Sequence, residues 1–385
     1  MMKAIVNTKL ITEEGIIWDG AVTYSKDRIV SSGWSDDVEI PSGTEIIDAK
    51  GKYTAPGLID IHNHGGNGYW FHDEPLKACE HFLKHGQTTI LPTLYFNLDY
   101  DRTIAGIETI RKASKSGAGK VIGGIYMEGP YMDTDLGSDN KNIKWKGKID
   151  ERESRALVDF AGDFVKVWCV DPAREGIEEF VRYAKKVNPE AVFSIGHSLA
   201  EPEDCYKLKK YGLRNQTHHS NSGIKTGLAR GTHGVGPDEA CLYDSDIYAE
   251  LICDSRGIHV RPHMLRLVIQ TKGIARIILI TDSTVFFDSA GKGIAQADDL
   301  GYDSEGHLAG SKLTLDAACR NLMKHTGYGL CHAIRFCTIN PARMLGIDDQ
   351  VGSLEPGKKA NMILIDDMVN VEKVILEGEL MIDRA

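Results

Sequence analysis

Six side chains of this 385-residue chain could together hold and use a divalent metal ion: His62, His64, Glu128, His197, His218 and Asp282. Neutral imidazole and carboxylate are the donors that zinc, iron or manganese accept, and a catalytic ion keeps one position open for water. Within His62-Asn63-His64 the spacing itself is informative, because residues i and i+2 of a strand point to the same side and both rings can reach one ion. Alone, such a pair is a weak signal, and a single His at a strand end is more often a hydrogen-bonded structural residue. Asp282 closes the run Ile277-Ile-Leu-Ile-Thr-Asp282, an apolar setting where a carboxylate is costly unless a cation or donors meet it. Its structural alternative is a helix N-cap, which Thr281-Asp282-Ser283 would suit.

The six gain weight from the elements that must position them. After Pro56 the chain alternates short apolar runs, at 58–61, 88–91, 121–127, 164–170, 191–195, 214–217, 247–252 and 277–280, with longer amphipathic segments of helical spacing. That alternation predicts βα units around a parallel sheet, and eight of them predict a (β/α)8 barrel. The C-terminal strand ends of such a barrel share one mouth, so side chains after strands one, three, five, six and eight would converge there. Before residue 56 the pattern is of short strands at 4–6, 15–17, 21–24 and 28–31, with turns at Asp19-Gly20 and Ser25-Lys26-Asp27. Past Pro341 strand-like pieces return at 362–365 and 373–376, then Glu377-Gly378 and a last short strand. We expect an α/β protein with a small β-sandwich domain built from both chain ends, 1–55 and 346–385, and a barrel domain over 56–345. A length beyond the roughly 250 to 300 residues at which one core stops growing agrees with two domains.

Composition narrows the partners. The net charge is −10, with acidic and basic residues interleaved, so no basic field invites a phosphate backbone and nucleic acid is disfavoured. No stretch approaches the roughly 18 to 20 uninterrupted apolar residues of a membrane helix, and the first residues lack a continuous signal-peptide core. A cytoplasmic protein is expected. The eight Cys are scattered without a CxxC pair, which points to reduced core thiols rather than a disulfide framework.

In their joint order, several segments resemble the amidohydrolase superfamily and, within it, the N-acetylglucosamine-6-phosphate deacetylases. They are Pro56-Gly-Leu-Ile-Asp-Ile-His-Asn-His-Gly65, Met127-Glu-Gly-Pro130, Gly196-His197, Thr217-His218 followed by Asn221, Gly257-Ile-His259, Thr281-Asp282, Leu308-Ala-Gly-Ser311, Asn340-Pro-Ala342 and Gly352-Ser-Leu-Glu-Pro-Gly357. By this resemblance Glu128, His197 and His218 are the principal metal ligands and Asp282 is the catalytic acid and base. His62 and His64 match a pair found in those members where a second ion can bind, so one or two ions per subunit stay open. His219 should point away from the mouth and is structural. The resemblance further implies that Arg230, His259, and Asn221 with Ser222 grip the sugar phosphate, Arg230 reaching across a homodimer interface to the neighbour's site. Leu308-Ala309-Gly310 would pack on the acetyl group. Three segments depart from the family's wording: Asn140 stands where a sugar-contacting His is usual, Thr217 to Gly223 is more polar, and Asp254 to Gly257 is two residues longer.

The implied reaction is metal-dependent hydrolysis of N-acetylglucosamine 6-phosphate to glucosamine 6-phosphate and acetate, with Asp282 moving the proton. Two other hydrolytic readings stay open: a related amino-sugar phosphate such as N-acetylgalactosamine 6-phosphate, or another amidohydrolase chemistry such as a cyclic amidase or deaminase. A non-catalytic assembly protein that kept the barrel is disfavoured, since such proteins usually lose metal ligands and this chain retains all the expected ones.

Overall fold

A computed structural model describes residues 1–133, 135–138, 140–221, 234–286 and 297–384, with only the backbone of Asn140. Eight parallel strands form one sheet in the order in which they occur along the chain: Leu58–Asn63, Gln87–Tyr95, Ile125–Glu128, Val165–Val170, Val192–Ile195, Leu213–Gln216, Tyr248–Ile252 and Ile277–Ile280. Runs such as Ile277–Ile280 are buried at every residue, as expected of strands covered on both faces. The covering helices are amphipathic. Helix Ile177–Val187 buries Ile177, Phe180, Val181 and Ala184 and carries Glu178 and Glu179 in its first turn and Lys185 and Lys186 in its last, matching both the helical period and the helix dipole.

The eighth strand returns to the first. The Asp282 N–H donates to the His62 carbonyl at 2.9 Å, and Thr281 Oγ1 donates to Asp60 at 2.7 Å. Asp60 is fully buried on the first strand and also accepts from Asn63 and Gln87, both at 2.9 Å. Burial nevertheless pushes its carboxyl up to about 6. The (β/α)8 barrel is thus pinned shut by polar bonds beside the two segments that carry His62 and Asp282.

The strands of the two chain ends make a second sheet, ordered Glu379–Asp383, Val371–Leu376, Met362–Ile365, Tyr53–Pro56, Met2–Ile11, Ile16–Ser25 and Arg28–Trp34, with Glu45–Asp48 alongside Met2–Ile11. Both ends contribute to one buried cluster that includes Ile5, Val22, Tyr24, Met362 and Ile375. Three expectations change in detail. Strands at 15–17 and 21–24 are one strand, Ile16–Ser25: Asp19-Gly20 does not turn, and Gly20 serves instead to let Leu10 approach, since a Cβ there would lie 2.5 Å from Leu10 Cγ. The third barrel strand begins only at Ile125, because Gly117–Val121 is a 3-10 turn and Gly124 sits at φ 143°. The second strand runs past Pro92, which is tolerated where its pairing with the first strand slips register.

All eight cysteines are free and seven are buried. Among the described residues no helix is long and apolar enough to cross a membrane.

Candidate active site

The barrel mouth gathers all six predicted side chains. Glu128 Oε1 lies 2.8 Å from His197 Nε2 and 2.9 Å from His218 Nε2, while its Oε2 lies 3.2 Å from His64 Nε2. Asp282 Oδ1 is 3.3 Å from His64 Nε2 and 3.6 Å from His62 Nε2. All six residues are buried. The backbone gives way to achieve this: His197, His218 and Asp282, each just beyond its strand, adopt φ of 45°, 28° and 46°. Non-glycine residues at such angles persist only where the surroundings enforce them, typically at functional sites.

This donor set fits a cation. The ligand atoms of His62, His64 and Asp282 lie within 4.8 Å of one another, as do those of His62, Glu128 and His218. His62 Nε2 is buried and aimed into the cluster without a hydrogen-bond partner among the described residues. Burial works against charge here, yet the groups sustain each other's ionised forms. Glu128 is held well below the usual carboxylate range by the imidazoles around it despite burial. Asp282 is likewise held low by His64 and His62 against the cost of burial. Burial depresses His62 and His64, but the facing carboxylates outweigh it and raise both, whereas for His197 burial wins and its imidazole is driven towards neutrality.

Above the cluster opens a cavity of about 540 Å³, lined by His64, Glu128, His197, His218 and Asp282 at its base. The predicted substrate residues Asn221, His259, Leu308, Ala309 and Gly310 line it too. Ser222 and Arg230 lie outside the described residues, as does the side chain of Asn140. His259 Nε2 is 3.1 Å from the Gly310 carbonyl, its Nδ1 is 3.2 Å from Asp254 Oδ2, and Asn221 Nδ2 donates to the His259 carbonyl at 2.8 Å. His219 turns away, as expected, to Gln216 at 2.7 Å and Asp238 at 3.4 Å.

Asp254 organises this wall. Burial opposes its charge, but His259 and the N–H groups of Ile258 and His259 bring it down to about 2. Its contribution to stability is therefore complete above the ordinary value near 3.9 and is lost as pH falls through about 2, an effect of about 2 kcal/mol. Asp254→Asn is expected to lower the unfolding temperature at neutral pH and to flatten the stability curve between about pH 2 and 4. Thermal melts across that range check it, and an acid limb as steep as the parent's would contradict it.

Two features escaped the sequence reading. Glu250, with no exposed surface on strand Tyr248–Ile252, lies 3.1 Å from His62. Its only signal was a charge inside the buried run Ile247-Tyr-Ala-Glu-Leu-Ile252, which is expensive without partners. The other is an aromatic wall: Trp70 stacks on Tyr95 with ring centroids 5.7 Å apart, Phe286 meets Trp70 edge-on at 5.1 Å, and Tyr95 meets His64 at 5.4 Å. Tyr69-Trp-Phe71 and Tyr95-Phe96 advertised it only as generic apolar residues.

The chain belongs to the amidohydrolase family, which it matches over residues 53–381, and it is a hydrolytic enzyme. Barrel, end-sheet and mouth cluster agree with that class. Among its relatives, N-acetylgalactosamine-6-phosphate deacetylase of Escherichia coli O157:H7 is 28% identical over 385 residues, covering 97% of each protein. N-acetylglucosamine-6-phosphate deacetylase of Haemophilus influenzae is 26% identical over 400 residues, covering 98% of this chain and 99% of that one. The crystal structure of N-acetylglucosamine-6-phosphate deacetylase from Pasteurella multocida matches with a TM-score of 0.85 at 26% identity, covering 100% of both chains.

Proposed function

We propose that this enzyme hydrolyses the acetamide of N-acetylglucosamine 6-phosphate, giving glucosamine 6-phosphate and acetate, with Glu128, His197 and His218 as principal metal ligands and His62 and His64 available for a second ion. The observation that carries it is the placement of His64, Glu128, His197, His218 and Asp282 at the base of one cavity whose walls hold His259, Asn221 and Leu308 to Gly310. The ion, zinc, iron or manganese, supplies Lewis acidity towards water and the amide carbonyl when bound. Asp282, kept ionised, accepts a proton from the attacking water as the new C–O bond forms. The same carboxyl then returns that proton to the sugar nitrogen as the C–N bond breaks, so one residue serves as base and then acid. His259, with Arg230 and Ser222, suits the phosphate dianion, and anchoring that remote group lets its binding energy orient the amide. The family resemblance also supports a cytoplasmic homodimer in which Arg230 serves the neighbouring site.

The galactosamine-directed name of the Escherichia coli relative favours a second reading, the C4 epimer N-acetylgalactosamine 6-phosphate. Acetate release from both phosphosugars and their unphosphorylated parents, after chelation and with metal added back, tests the proposal. Turnover that needs phosphate and metal and prefers the gluco epimer is expected. Preference for the galacto epimer moves the assignment to that sugar, and turnover indifferent to phosphate sinks both.

A further inference from the structure

Among the described residues, the outward nitrogen of one of the four mouth histidines has a hydrogen-bond partner and those of the other three have none. The Nδ1 atoms of His64, His197 and His218 are buried without a hydrogen-bond partner among the described residues. His62 Nδ1, in contrast, lies 3.1 Å from Glu250 Oε2. The same Oε2 accepts the backbone N–H of His218 at 3.1 Å, and Glu250 Oε1 accepts from Asn215 Nδ2 at 2.5 Å. Among the described residues, the hydrogen bonds of this fully buried carboxylate are thus all with nitrogens.

A cation that enters the cluster displaces the proton on His62 Nε2. The proton that remains is held on Nδ1 by Glu250, so the Nε2 lone pair lies on the side of Asp282 and Glu128, 3.6 and 3.8 Å away. This is the form and orientation in which imidazole ligates a cation, and a carboxylate behind the ring also raises its basicity as a ligand. We infer that Glu250 is a positioning residue that presets His62 as a metal ligand and thereby governs cation binding by the group His62, His64 and Asp282. The inference rests on the metal-dependent reading above and deepens it. It also accounts for an otherwise costly charge in an apolar strand.

The contacts distinguish two substitutions. In Glu250→Gln the amide oxygen can accept from both His62 and His218, while Asn215, whose Oδ1 has no partner among the described residues, can turn its amide to accept from the new NH2. Glu250→Leu supplies no acceptor at all. Full-length protein stripped of metal is titrated with zinc alone, following stoichiometry and affinity by competition with a chelator, and its histidine side-chain nitrogens are followed by 15N NMR. We expect the leucine variant to bind the zinc held by His62 about 10- to 100-fold more weakly, and the glutamine variant to stay within a few-fold of the parent. In the zinc-loaded parent one imidazole, identified by its absence from His62→Ala, should carry its proton on Nδ1, a signature kept in the glutamine variant and lost in the leucine variant. Parent-like zinc binding by the leucine variant, or a His62 not protonated on Nδ1 in the parent, overturns the inference. If the leucine variant does not fold, the parent and glutamine spectra decide. A parent that shows all of this but releases no acetate overturns the deacetylase reading and leaves the role of Glu250 intact, whereas a parent that takes up no zinc removes the metal-dependent reading and this inference with it.

Discussion

Asp282→Asn is expected to slow acetate release from N-acetylglucosamine 6-phosphate by roughly 10²- to 10⁴-fold, the usual worth of a positioned proton carrier. The amide side chain keeps the size of the carboxyl, so the N–H bond from residue 282 to the His62 carbonyl, 2.9 Å in the parent, is retained and the barrel stays closed. What is lost is the proton acceptor. The effect should fall on kcat, with KM for the phosphosugar nearly unchanged, because Asp282 sits among the imidazoles at the base of the cavity and not with His259 on its wall. Zinc at the proposed ligands Glu128, His197 and His218 should remain, since Asp282 is outside that set. Steady-state kinetics alongside metal analysis checks both parts. Activity within about tenfold of the parent's, with zinc in place, would mean that another group carries the proton.

The second large effect belongs to Glu128. Its two oxygens face His197, His218 and His64 within 3.2 Å and His62 at 3.8 Å, so this one carboxylate is the common neighbour of all four imidazoles. Glu128→Ala should reduce activity to that of chelated enzyme and strip zinc from the centre. It should also destabilise the metal-free protein, by up to about 3 to 5 kcal/mol, because His62 and His64, which the carboxylates raise, lose a buried partner. Denaturant unfolding in excess chelator isolates this cost from the loss of metal. A variant that kept the parent's zinc content would show that the histidines suffice as ligands.

Much of this centre was legible because its parts follow simple periodicities. His62 and His64 obey the two-residue repeat of a strand, and Glu128, His197, His218 and Asp282 each terminate an apolar run, so counting strands was enough to bring them to one mouth. Two kinds of information were not legible. The left-handed φ of His197, His218 and Asp282 has no sequence mark, because His and Asp do not require such angles as glycine invites them. Glu250 and Asn215 are placed by the sideways contacts of neighbouring strands, and a contact between residues 62 and 250 leaves no trace in local pattern. Element ends differ from the sequence pattern where glycine or proline lies inside a strand. Gly20 and Pro92 both lie inside strands, the first to admit Leu10 and the second at a register slip.

The end-sheet has a consequence for how the chain is made. Tyr53–Pro56 hydrogen-bonds on one side to Met2–Ile11 and on the other to Met362–Ile365. During synthesis from the N-terminus, that second edge has no partner until some 300 further residues have been added. Throughout that interval the nascent protein presents an open strand edge, the feature that recruits other chains into mixed sheets. Stalled or prematurely terminated translation products should therefore be aggregation-prone even when the whole barrel sequence has been made, which gives the last strands of the polypeptide a protective office quite separate from catalysis.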